Sequence, residues 1–106
     1  MDAQTAIREI VVRIVRRFSP ERIILFGSHA RGEAQADSDV DLLILFRDVD
    51  DPRARASEVY SALVDCPIAK DIVISTVARF DRYRDVANTV YWPAAREGRV
   101  LYERAA

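Results

Sequence analysis

The stretch Asp39 to Phe46, DVDLLILF, is apolar at consecutive positions over its core half instead of at alternate ones. A segment this short and this apolar reads as a β-strand buried on both faces, which can exist only in a sheet covered on its two sides. The cover has to come from helices, and the flanking sequence supplies them. From Ala3 to Phe18 the residues Ile7, Ile10, Val11, Ile14 and Phe18 recur at helical spacing, and Ser19-Pro20 closes the segment. Arg22 to Phe26 (RIILF) is a second short strand, ending at Gly27-Ser28. The intervening SHARGEAQADS holds a short helix and a loop. After Pro52, the residues Ala56, Val59, Tyr60 and Leu63 predict a helix ending near Cys66-Pro67, and Lys70 to Ser75 (KDIVIS) predicts another strand. Phe80, Tyr83, Ala87, Val90 and Tyr91 then recur at helical spacing up to Pro93, and the chain runs on through Glu97-Gly98 to the apolar tail Val100-Leu101-Tyr102, which predicts one or two further helices.

This alternation of helix and strand predicts an α/β (α+β) architecture, a small mixed sheet of three to four strands flanked by helices. With 106 residues, residues 1–106 are expected to form a single domain. Three Gly and four Pro, with half the residues apolar, oppose disorder or low complexity.

Charge narrows the function classes. Sixteen Lys and Arg against seventeen Asp and Glu leave a net charge of −1, without the basic excess that phosphate-backbone binding requires, so no direct nucleic-acid binding is expected. The first eighteen residues carry charges every few positions and resemble neither a signal peptide nor a membrane span. The lone Cys66 has no partner for an intrachain disulfide, and a cytoplasmic location is expected by default. With His29 as the single histidine, zinc sites and Ser-His-Asp hydrolysis lack their residues.

The chemistry concentrates between residues 27 and 41. Gly27 and Gly32 enclose four residues as in a phosphate-binding P-loop, but Glu33-Ala34 stand where that motif needs Lys and Ser or Thr. What is left is a Gly-Ser turn between strand and helix, offering N–H groups and a hydroxyl to an anion. Asp39 and Asp41, two apart at a strand entry, project from one face and repel each other, a conflict that a divalent cation with hard oxygen ligands relieves. Asp71 opens the next strand and joins them if the two strands are neighbours. Asp48 and Asp50 repeat the spacing, but they lie in a polar turn before Pro52 and read as loop solvation.

Gly27-Ser28, ten residues, then Asp39-x-Asp41, with Arg31-Gly32 and Ser38 in the interval, resembles the signature of the DNA-polymerase-β-like nucleotidyltransferases. GSHARGEAQADSDVDLLILF is similar to the form seen in the minimal nucleotidyltransferases, small antitoxin-like proteins often paired with a HEPN-domain protein. The resemblance implies that Gly27 and Ser28 hold the triphosphate of ATP with help from Arg31 and Ser38. It also implies that Asp39, Asp41 and Asp71 bind Mg²⁺, two ions in all, and serve catalysis. His29 departs from the basic residue common at its position. The implied reaction moves AMP from ATP to a hydroxyl, most readily a tyrosine of a HEPN toxin. The chain is short for a lobe that orients the acceptor, so a second protein in a homo- or hetero-oligomer is expected to complete the site. Two rivals stand beside this: a non-catalytic antitoxin acting by occlusion, and an enzyme acting on a small-molecule hydroxyl.

Overall fold

The computed structural model describes residues 2–105. Helices α1 (Ala3–Phe18), α2 (Ser28–Arg31), α3 (Pro52–Ala62), α4 (Val77–Tyr83) and α5 (Tyr91–Glu97) alternate with strands β1 (Arg22–Phe26), β2 (Val40–Phe46), β3 (Lys70–Thr76) and β4 (Arg99–Glu103). The strands form one sheet in the order β3-β2-β1-β4. β2 runs antiparallel to β1 and parallel to β3, and β4 runs antiparallel to β1, so the sheet is mixed.

Helix α1 starts where the Thr5 N–H donates to Asp2 Oδ1 at 2.8 Å. It stops at Ser19, whose left-handed backbone (φ 49°) lets its N–H close onto the Val15 carbonyl. Ile7, Ile10 and Ile14 face the sheet and meet Val59 and Leu63 from the α3 side over Ile23, Leu25, Leu42, Ile44, Ile72 and Ile74. The opposite face carries a smaller cluster, Ile24, Leu43 and Leu45 beneath Phe80 of α4 and Tyr91 and Ala94 of α5. β2 therefore is the strand buried from both sides, Leu42 through Leu45 being fully inaccessible. Each such side chain contributes about 1.5–3 kcal/mol of transfer free energy.

Three expectations need correction. Val100-Leu101-Tyr102, expected to follow helices as a tail, lies inside β4, the fourth strand, which pairs with β1 through a bulge between Ile23 and Ile24. The run from Phe80 to Tyr91 divides into two short helices, within the one or two expected, because the segment between Arg84 and Val90 is taken up by turns, with Ala87 exposed and Asn88 at φ 68°. Pro93 does not interrupt a helix; it falls in the first turn of α5, where a missing N–H has no carbonyl to serve. Helix α3 ends at Ala62, short of Cys66. Tyr60 lies outside the buried stripe, and its hydroxyl accepts the Ile72 N–H at 2.8 Å, satisfying a donor of the edge strand β3. The described residues contain no helix long and apolar enough to cross a membrane.

Candidate active site

One rim of the sheet gathers the C-terminal end of β1 and the N-terminal ends of β2 and β3. Phe26 stands opposite Asp41, and Asp41 stands opposite Asp71, so a single rung crosses three strands. Neighbouring strands lie about 4.8 Å apart, and paired residues share a face. Asp41 and Asp71 thus project together on the face of Leu43 and Leu45, and Asp39, two residues earlier, follows the same parity just before β2 begins. The sequence expectation for Asp71 depended on this neighbourhood of strands, and the register supplies it.

The carboxylates act on one another. The Asp41 carboxyl titrates above the usual carboxylate range, first because it is partly buried and then because Asp71 and Asp39 repel its charge, with His29 and Arg31 pulling the other way. Among the described residues, none of the three acids takes part in an ion pair. Lys70, the local candidate to neutralise Asp71, instead donates to the carbonyls of Cys66 (3.1 Å) and Ile68 (2.8 Å). Asp48 and Asp50 are exposed beyond the opposite end of β2, as loop solvation requires.

Gly27 shapes the other wall. Its φ of 75° is a left-handed value that side chains resist, and a Cβ there would overlap Asp41 Oδ2. The turn leads directly into α2, a single helical turn in which the Ala30 and Arg31 N–H groups both donate to the Gly27 carbonyl at 3.1 Å. Gly32, at φ 73°, ends it. Ser28, the first residue of α2, follows directly on the glycine that meets the Asp41 carboxylate.

The remaining candidates are differently placed. The Arg31 guanidinium is held by Glu33 at 3.0 Å and by Glu97 of α5 at 3.3 Å, and these carboxylates raise its pKa. The Ser38 hydroxyl turns into its own loop, accepting the Gln35 N–H at 2.8 Å, and among the described residues it makes no hydrogen bond to the Gly27-Ser28 turn. His29, set aside in the sequence as a departure from the usual basic residue, is half-buried with Nε2 at 3.2 Å from the Ser38 carbonyl. Neither this contact nor the Arg31–Glu97 pair has a local signal in the sequence, since the partners are separated along the chain and meet through the fold.

Chemically, the three acids offer oxygen donors of like charge. Among the described residues, no three His, Cys, Asp or Glu side chains close into a ready-made metal cage. A donor set that is mutually repelled and incomplete suits magnesium, which keeps several waters and is ordinarily held by one or two carboxylates together with substrate phosphates.

Known proteins resemble this chain in sequence and in fold. A model of the nucleotidyltransferase domain family matches residues 7–89. A Methanocaldococcus jannaschii protein, "Putative protein adenylyltransferase MJ0604", is 29% identical over 108 residues, spanning 96% of this chain and all of that protein. Among solved structures, the "putative nucleotidyltransferase from Sulfolobus solfataricus" superposes with a TM-score of 0.67 at 21% identity, over 94% of this chain and 79% of that one. A mutant of the toxin–antitoxin pair MntA-HpeT matches with a TM-score of 0.56 at 20% identity, over 92% and 72% of the two chains. A toxin–antitoxin complex with AMP-PNP matches at 0.52 and 23%, over 91% and 73%. The matched span holds the Gly-Ser turn and all three carboxylates, and the chain belongs to the nucleotidyltransferase domain family.

Proposed function

We propose that this nucleotidyltransferase is a magnesium-dependent protein adenylyltransferase that moves AMP from ATP to a tyrosine hydroxyl of a HEPN-domain toxin and thereby acts as its antitoxin. The observation that carries the reading is the single rung that sets Asp41 against Asp71 and beside the Gly27-Ser28 turn. A triphosphate seated on the turn brings its α-phosphorus next to the acids. The M. jannaschii relative, named for protein adenylyl transfer, favours a protein acceptor. The toxin–antitoxin neighbours, one of them with AMP-PNP, favour a toxin as that protein and ATP as the donor.

In this reading residues 1–106 work as one nucleotidyltransferase domain. The acceptor oxygen forms a bond to the α-phosphorus, the bond to the β-phosphate oxygen breaks, pyrophosphate leaves, and the acceptor proton is released. Gly27 leaves room for the triphosphate and Ser28 orients it through its N–H and hydroxyl, with Arg31 turning from its carboxylate partners to the phosphates and Ser38 at the loop edge. Asp39 and Asp41 would hold magnesium, and Asp71 would complete a second position and draw the proton from the acceptor hydroxyl. Bound there, magnesium supplies charge neutralisation of the triphosphate and activation of the attacking oxygen. The toxin completes the site as a hetero-oligomer, supplying the acceptor.

The test is to incubate the purified chain with Mg²⁺ and ATP labelled at its α-phosphate in clarified lysate of its host. An Asp39→Asn/Asp41→Asn variant serves as control. A labelled protein band, absent from the control and mapped by mass spectrometry to a tyrosine, is the expected result. Label in a small molecule instead would move the acceptor to a small-molecule hydroxyl. No transfer from any of the four nucleoside triphosphates would leave a binding antitoxin on this fold.

A further inference from the structure

The loop between α2 and β2, residues 33–39, delivers Asp39 to the rim, and it is exposed over most of its length. At its start the Glu33 N–H donates to the Ser28 carbonyl at 2.9 Å. Near its end the Ser38 N–H donates to the Gln35 carbonyl at 3.1 Å, and the Gln35 N–H returns to Ser38 Oγ at 2.8 Å, which closes a turn but ties it to nothing else. On the far side of Asp39, the Val40 N–H is fixed to the Ala69 carbonyl at 2.9 Å. The contact that ties the near side of Asp39 back to α2 is His29 Nε2 against the Ser38 carbonyl, at 3.2 Å. Because that acceptor is a carbonyl, Nε2 carries the hydrogen.

We propose that His29 is a positioning residue: its Nε2–H, donated to the Ser38 carbonyl, holds the 33–39 loop against α2 and so sets Asp39 at a fixed distance from Ser28. The inference rests on the nucleotidyl-transfer reading for its purpose but not for its geometry. A carboxylate and a phosphate-holding turn that must meet one cation tolerate little error in their separation, since supporting contacts decide whether such a constellation is competent. The imidazole suits the task because it stands next to Ser28 in α2 and reaches across to the residue before Asp39.

The experiment compares His29→Leu, which deletes the donor, with His29→Gln, whose amide nitrogen reaches about as far as Nε2. Three readouts are taken on the full chain: amide hydrogen exchange across residues 35–40, Mn²⁺ affinity by electron paramagnetic resonance without nucleotide, and steady-state transfer. In the Leu variant, exchange at this loop should accelerate and the Mn²⁺ dissociation constant should rise, each by about tenfold, the equivalent of one lost hydrogen bond. Transfer should lose kcat while KM for ATP holds within about threefold, and the Gln variant should restore all three. Wild-type exchange and Mn²⁺ affinity in the Leu variant would overturn the proposal, as would a Gln variant that folds and is as impaired as Leu. Should the Leu variant fail to fold, His29→Asn, whose amide is too short to reach, replaces it with the same expectations. If the wild-type chain transfers nothing, the functional reading falls, and exchange and Mn²⁺ binding still decide the role of His29.

Discussion

Gly27 and Asp41 lie so close that the carboxylate oxygen of Asp41 stands where a side chain on Gly27 would begin. Gly27→Ala meets both that overlap and the left-handed φ of 75°, so the turn must move or the carboxylate must swing away. The variant should lose about 1–2 kcal/mol of stability in urea denaturation, the strain of a side chain in that backbone region. It should also lose about a hundredfold or more in transfer, because the turn and the carboxylate can no longer adjoin.

Asp41 is held in a state that opposes the fold at neutral pH. Its folded pKa lies above its unfolded value, so its contribution favours the fold below the unfolded value of 3.8 and is lost as pH rises through the folded one. In metal-free buffer at pH 7, Asp41→Asn should therefore melt at a higher temperature than the wild type, with the gap narrowing on acidification. Mg²⁺ should raise the melting temperature of the wild type and not of the variant, while transfer falls about a hundredfold or more. Calorimetric scans from pH 3 to pH 8, with and without Mg²⁺, check the sign.

Arg31 bridges α2 to α5 through Glu97, but both groups are well exposed, and pairs of that kind contribute little to stability. Arg31→Ala should leave the melting temperature nearly unchanged. KM for ATP should rise by about tenfold or more, as expected for a charged hydrogen bond to phosphate, and steady-state kinetics over ATP concentration reads it directly.

Tyr91 is tied into the buried layer away from the acids. Its hydroxyl is 2.7 Å from the buried Ser75 Oγ, four residues along β3 from Asp71. That separation is about 13 Å of strand. Tyr91→Phe should destabilise the chain by about 1–2 kcal/mol by leaving Ser75 without its buried partner, with transfer retained. Urea denaturation and the transfer assay together make the distinction.

What could be read from the sequence divides along the range of the interactions involved. β2 was legible because consecutive apolar residues have one structural solution, and the Gly27-Ser28 and Asp39-x-Asp41 pattern was legible because local spacing on a strand fixes which side chains share a face. Asp71 was half-legible: its place at a strand entry could be read, but its rung opposite Asp41 depends on the order of strands. β4 escaped because Arg99 to Glu103 is short and follows a helical pattern, and only pairing with β1 makes it a strand. The anchoring of Ser38 by His29 and the capture of Arg31 by Glu97 escaped for the same reason.

The direction of the strands carries a consequence for how such a chain can be altered. In open sheets with parallel strands, ligands ordinarily collect at the carboxyl ends. Here the acids stand at the amino ends of the parallel pair β2 and β3, where antiparallel β1 brings its own carboxyl end to meet them. The rim at the other ends of β2 and β3, with the exposed residues around Asp48 to Asp51 and the junction of β3 with α4 at Thr76, lies at the far end of the strands from these acids. That rim is the natural place to splice in a reporter peptide or a tether: lengthening the 47–51 turn leaves the rung of Asp41 and Asp71 in register, whereas a single residue inserted between Ser28 and Asp39 alters the loop that carries Asp39 to it.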